Sequence, residues 1–170
     1  MPKVHLVEGP VGAGKSTFSK SLALRTNGVH IALDEWFVRL YSADRPATNF
    51  MDWYVERKAR LLELIWSHSS AVLSSDTDVV LELGLIQRQG RISFYEKVKG
   101  AGIELKVYVL DAPKDVRLER VMRRNLEKGE TFSMIVPEQI FEIANNMWEA
   151  PGESECSSVS VEYVTESLQR

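Results

Sequence analysis

Gly9, Gly12 and Gly14 crowd a short stretch that ends in Lys15-Ser16-Thr17. No other run constrains the fold as strongly. The residues before it, Val4-His5-Leu6-Val7, read as a short buried strand. Lys15 to Arg25 reads as a helix with Phe18 and Leu22 inward, stopped by Asn27-Gly28. A strand that breaks into a glycine turn and restarts as a helix leaves backbone N–H groups unpaired at the helix start. Glycines let that backbone curl so the N–H groups converge on an anion, and the helix dipole adds to the attraction. Gly9-Pro10-Val11-Gly12-Ala13-Gly14-Lys15-Ser16 has the spacing G-x-x-x-x-G-K-S. In that spacing the lysine neutralises the β- and γ-phosphates and the hydroxyl holds magnesium. Gly9, Pro10, Val11, Gly12, Ala13, Gly14, Lys15, Ser16 and Thr17 are therefore the expected phosphate site, with Lys15 also catalytic. No N-K-x-D or D-x-x-G run is present to read guanine or form a GTPase switch, so ATP with Mg2+ is the expected pair.

Further strands are expected at Val29 to Leu33, Asp78 to Leu83, Leu105 to Leu110 and Val159 to Val164. Helices are expected over Glu35 to Leu40, Asp52 to Ser67, Arg88 to Lys99, Lys114 to about Lys128 and Glu138 to Trp148, where Pro137 suits a helix start. Strands alternating with helices imply right-handed crossovers and a mostly parallel α/β sheet covered on both faces. The 170 residues suit a single domain, and no internal repeat is visible.

Bulk properties exclude several classes. Hydrophobic residues make up 44% and charged residues 26%, an ordinary water-soluble balance. No apolar run approaches the ~20 residues of a membrane span, and the N-terminus lacks the features of a signal peptide. A cytoplasmic protein is expected. Cys156 is the only cysteine, so no internal disulfide can form. A net charge of -3 disfavours binding to nucleic acid through a broad basic surface.

The acids and cations that could move a phosphoryl group follow from position. Ligands of parallel sheets bind beyond the carboxyl ends of the strands. Glu82 closes the third strand and is the expected magnesium-side acid with Ser16. Asp34, ending the second strand, can orient an attacking hydroxyl or take its proton, with Glu35 beside it as the competitor. Arg39, Arg88 and Arg91 are candidate substrate ligands, the last two sharing a helix face. Arg120 and Arg124 share another face and lead into Gly129-Glu130-Thr131-Phe132. They suit a lid that closes over ATP, excludes water and stabilises transferring charge. Arg117 and Arg123 read as surface charges. His5 and His30 are placed away from the catalytic edge. Trp148 is a candidate for stacking on adenine, and Trp36, Tyr41, Trp53 and Tyr54 could line an acceptor pocket.

Several segments together resemble the AAA-domain family of small P-loop kinases close to zeta toxins, chloramphenicol phosphotransferases and polynucleotide 5′-kinases. They are Gly9 to Thr17, Leu33-Asp34-Glu35-Trp36, Val80-Leu81-Glu82-Leu83-Gly84, Leu110-Asp111-Ala112-Pro113 and Arg120 to Asn125. The resemblance spans nearly the whole chain. It implies an adenylate-kinase-like three-layer α/β/α fold with a five-stranded parallel sheet in the order 2-3-1-4-5. It also implies Asp34 as catalytic carboxylate and Arg120 with Arg124 as lid arginines. Relatives often carry Asp where Glu82 stands, a departure on the metal side. The expected activity is transfer of the γ-phosphoryl of ATP to a hydroxyl of a small acceptor. The acceptor region is expected at about 35–60 and the lid at about 117–136. A polynucleotide 5′-kinase and a non-enzymatic ATP-binding regulatory module are the alternatives.

Overall fold

The computed structural model describes residues 1–130 and 132–164. Five strands lie parallel: β1 (Lys3–Glu8), β2 (Val29–Ala32), β3 (Val79–Glu82), β4 (Glu104–Leu110) and β5 (Ser160–Val164). Their order is β2-β3-β1-β4-β5, as the resemblance implies. The registers place Val4 beside Val79 and Leu105, and Ala32 beside Glu82. The described helices are α1 (Lys15–Thr26), α2 (Leu33–Tyr41), α3 (Phe50–Ser74), α4 (Arg88–Gly100), α5 (Lys114–Glu127), α6 (Glu138–Met147) and α7 (Glu153–Cys156).

The pleat divides the core in two. Val4, Leu6, Val79 and Leu81 pack with Leu61 and Ile65 of α3 and Phe94 and Val98 of α4. Val7, Val80, Tyr108 and Leu110 pack with Phe18 and Leu22 of α1. Alternate residues of one strand thus serve opposite layers, so each central strand is apolar throughout. At the amino ends of the strands, His5 bridges Tyr108 and Asp78, at 3.1 and 2.9 Å. Asp78 also accepts from the Lys3 backbone at 2.9 Å. Asp78 thus stands just before β3, at the sheet edge opposite the phosphate loop.

Three boundaries differ from the sequence expectation. α1 stops where Asn27 takes a left-handed φ of 51° and Gly28 N–H returns to the Ala23 carbonyl at 2.9 Å. After β2, however, helix α2 begins at Leu33, not Glu35, so Asp34 sits in a first helical turn and not at a strand end. Leu33 is fully buried, and anchoring it in the core turns the chain into the helix at once. α3 runs to Ser74, past the expected Ser67. Its buried stripe continues through Ser69 and Leu73, and serines such as Ser70 satisfy their hydroxyls on the carbonyl one turn back, here Trp66 at 2.9 Å. The third difference is α7, which occupies part of the expected polar loop before β5. Among the described residues, no helix is long and apolar enough to cross a membrane.

Candidate active site

The glycine loop joins β1 to α1 at the carboxyl edge of the sheet. A Cβ at Gly9 would stand 2.3 Å from the Leu110 carbonyl oxygen. At Gly12 (φ +81°) it would stand 2.6 Å from the Arg117 carbonyl oxygen. Both positions need glycine for space and for conformation, with φ +151° at Gly9 and +81° at Gly12. Ala13 is fully buried beneath the loop, whereas Thr17 faces solvent. Lys15 folds back over the loop and donates to the carbonyls of Gly9 and Pro10 at 2.9 and 2.8 Å. Burial pulls its pKa below the usual lysine value, and the charges of Glu82 and Asp34 oppose that shift. Arg124 and Arg117 add to the lowering. Lys15, Asp34, Glu82, Arg117 and Arg124 therefore share one electrostatic neighbourhood.

Glu82 accepts from Ser16 Oγ at 3.0 Å through one oxygen. Its other oxygen lies 2.6 Å from His30 Nε2. Burial alone would raise its pKa, but the His30 hydrogen bond and the charges of His30 and Lys15 outweigh burial and hold it below the ordinary glutamate value. His30 is thus not remote from the site, as its place early in β2 suggested. Parallel pairing sets Ala32 beside Glu82. The His30 side chain, two residues earlier, spans the remaining distance. Ser16 and Glu82 form a hard oxygen pair that suits Mg2+, which binds few protein ligands and keeps waters and phosphate oxygens. No cluster of three or more His, Cys, Asp or Glu side chains among the described residues offers a different metal cage.

Asp34 and Glu35 separate clearly. Glu35 pairs with Arg39 at 2.9 Å, one helical turn on, and the Arg39 side chain is 77% exposed. Asp34 is exposed, with no ion pair among the described residues, yet its charge is felt by Lys15, Tyr54, Lys58 and Arg124. It stands between the phosphate loop and α3.

Arg124 reaches the neighbourhood of Asp34, and its Nε is buried without a hydrogen-bond partner among the described residues. A buried charge-bearing donor left open beside Lys15 fits a phosphate oxygen. Arg120 is half-buried on the same helix. Arg117 is not a surface charge: it is 6% exposed. Its fork donates to Ala112 O at 2.9 Å, Val11 O at 3.0 Å and Asn145 Oδ1 at 2.7 Å. It ties the phosphate loop to α5 and α6. Arg123 is exposed, as expected.

Arg91 is not open to a substrate. It is fully buried, and its Nε and Nη2 hold Glu155 at 2.5 and 3.1 Å. It occupies the inward stripe of α4 with Phe94, Tyr95 and Val98, so the core claims it. Arg88 is exposed and turns toward Ser154 Oγ at 3.5 Å, with its backbone N–H on Glu149 at 2.7 Å. Trp148 lies over Arg91, 5.3 Å from guanidinium carbon to ring centroid. Of Trp36, Tyr41, Trp53 and Tyr54, the last three pack with Phe37 in one aromatic cluster between α2 and α3.

Beneath the loop lies a buried polar network. Tyr95 Oη is 3.0 Å from Glu8 and 3.1 Å from Glu155, and Arg91 Nε is 3.7 Å from Glu8. Two carboxylates face one guanidinium. Burial pushes the Glu8 pKa up to about 8 despite the opposing Arg91 charge and Tyr95 hydrogen bond. Protonated Glu8 can donate to Tyr95, whose own proton then goes to ionised Glu155, and the cluster is neutral.

A parallel sheet in this order, with a glycine loop, Lys15, Ser16 and Glu82 at its carboxyl edge, defines a P-loop nucleotide-binding domain. The AAA-domain family profile matches residues 4–145, and the chain belongs to that family of P-loop kinases. A uridine kinase of Ureaplasma urealyticum serovar 10 is 22% identical over 156 residues, which cover 79% of this chain and 75% of that kinase. Chaetomium thermophilum Kti12, solved in complex with ADP-AlF3, has a TM-score of 0.68 at 19% identity, over 98% of this chain and 93% of Kti12. A gluconokinase from Sinorhizobium meliloti 1021 has a TM-score of 0.60 at 20% identity, over 97% of this chain and 84% of that one. At such identities the two structures share the fold.

Proposed function

We propose that the protein transfers the γ-phosphoryl of ATP to a hydroxyl of a small acceptor. The observation that carries this reading is the Asp34 carboxylate, exposed and unpaired among the described residues between Lys15 and α3. An idle surface acid would not be flanked by the phosphate-loop lysine, Arg124 and Lys58. In this reading Asp34 orients the acceptor hydroxyl and takes its proton. The loop from Gly9 to Thr17 cradles the phosphates, and Lys15 follows the charge on the γ-phosphoryl. Ser16 and Glu82 would hold Mg2+, which would supply positive charge to offset that of the phosphates. Arg124 and Arg120 lie on the lid, about residues 117–136, and balance charge on the transferring group. The acceptor lies against the 35–60 region of this one domain.

The uridine kinase and gluconokinase likenesses support a hydroxyl acceptor. The test is a screen with Mg-ATP of nucleosides, sugars, sugar acids, aminoglycosides, chloramphenicol and 5′-hydroxyl oligonucleotides, read by mass. A product formed by the native chain and lost with Asp34→Asn is the expected result. Full activity of Asp34→Asn on that acceptor would remove Asp34 from its role. Phosphorylation confined to oligonucleotide ends would move the reading to a polynucleotide kinase.

A further inference from the structure

The acceptor side of Asp34 holds a cation that the arginine candidates did not include. Lys58 lies on the inward face of α3, one turn beyond Tyr54 and one turn before Leu61. It is half-buried, and its ammonium donates to the Gly84 carbonyl at 3.0 Å, just past β3. Gly84 has φ +60°, and a Cβ there would lie 3.8 Å from Lys58 Nζ. The Tyr54 ring lies 5.9 Å from the same nitrogen and stacks on Phe50, so the lysine has a firm aromatic wall. Among the described residues no carboxylate oxygen pairs with Lys58 within the 4.0 Å of an ion pair, and the Gly84 carbonyl is its one hydrogen-bond acceptor. An ammonium carries three donors, so two remain.

A desolvated cation without a counter-ion is unfavourable unless something compensates it. Burial indeed pulls the Lys58 pKa down, and the charge of Asp34 opposes that shift without forming an ion pair. Asp34 is taken up by the acceptor hydroxyl in the function proposed above. The opposite cations, Lys15 and Arg124, serve the phosphates. Lys58 itself keeps a positive charge and two open donors, which match the two oxygens of a carboxylate.

We propose that Lys58 is the anion anchor of the acceptor pocket, and that the acceptor is a small hydroxy acid whose carboxylate sits on Lys58 while its hydroxyl meets Asp34. This rests on the reading of Asp34 and adds the substrate class. The Gly84 carbonyl holds the ammonium in place, so the separation between Lys58 and Asp34 selects which hydroxyl is presented.

The experiment uses matched pairs of acid and neutral alcohol, D-gluconate with D-glucitol and D-glycerate with glycerol. Phosphorylation with Mg-ATP and binding by thermal shift with Mg-ADP are both followed, for the native chain, Lys58→Met and Lys58→Arg. The acids are expected to be preferred, and Lys58→Met to lower kcat/KM on them about 10- to 100-fold through KM, the loss of one charge-assisted hydrogen bond pair. Lys58→Arg should recover part of that loss. Equal use of acid and neutral partners overturns the proposal and leaves the kinase reading intact. So does a fall in kcat on both series alike, which makes Lys58 only a positioning residue for Asp34. Lys58-dependent binding of the acids without any phosphorylated product keeps the anion anchor and removes the kinase reading. Absence of Lys58-dependent binding overturns the anchor.

Discussion

Replacement of Arg117 by Ala would remove one guanidinium that joins three elements. Its hydrogen bonds reach Val11 in the phosphate loop, Ala112 after β4 and Asn145 in α6, all within 3.0 Å. Each carbonyl that loses a charged donor costs on the order of 1 kcal/mol or more, and water reaches only part of the gap. Three such losses amount to about 3–4 kcal/mol. For a chain of this size that is roughly 6–16 °C in Tm. Arg117→Lys keeps the charge but offers a single nitrogen in place of the fork, so it should recover a third of the loss at most. Urea denaturation of the three proteins gives the stability, and titration with Mg-ADP gives the state of the loop. Because Val11 is one of the three anchors, ADP affinity should fall together with stability. An Ala variant within about 1 kcal/mol of the native chain would refute the reasoning. A destabilised variant with native ADP affinity would refute the part that concerns the loop.

Further outcomes follow from the same geometry. Glu8 titrates near 4.5 unfolded and at about 8 folded, so between those values the folded chain holds the extra proton. Stability should therefore fall as pH rises through that window, by up to about 1.4 kcal/mol per unit. Glu8→Gln should flatten that slope and be relatively more stable at pH 9, and identical slopes in urea melts from pH 5 to 9 would contradict it. Gly12→Ala forces a Cβ to 2.6 Å from the Arg117 carbonyl at a left-handed φ. It should cost about 1–3 kcal/mol locally and weaken ADP binding by at least tenfold, as read by calorimetry. Glu155→Ala takes the bidentate partner from the buried Arg91 and leaves it Glu8 at 3.7 Å. It should destabilise by less than the cost of a fully stranded charge, about 3–5 kcal/mol, and the double change Arg91→Met with Glu155→Leu should recover most of the loss in thermal melts.

The sheet was legible because buried parallel strands announce themselves as apolar runs, and the glycine loop because its spacing has one chemical use. Ser16, Glu82 and Lys15 came together as their positions at strand and helix ends required. The side chains that misled are long cations on inward helical stripes. Arg91 follows the spacing of Phe94, Tyr95 and Val98, and Arg117 that of Val121, so each belongs to a buried face. Lys58 precedes Leu61 and Ile65 in the same way. A cation on such a stripe needs a partner that the local sequence does not name. For Arg91 it was Glu155, for Arg117 a set of carbonyls, and for Lys58 the carbonyl of Gly84. Pairing across so many residues is settled by tertiary packing, and periodicity alone reports only that a position faces inward. Asp34 lies in a helix that begins earlier than expected, since Leu33 buries itself and carries the next residue into the first turn.

Glu155 reaches back across the domain to a network that touches Glu8, the residue just before the glycine loop. Synthesis makes the loop well before it makes this carboxylate. Until α7 is made, Arg91 beneath the loop faces Glu8 at 3.7 Å and lacks the bidentate partner of the finished fold. Completion of the polar floor under the loop is thus coupled to the arrival of a segment that lies far from the loop in sequence.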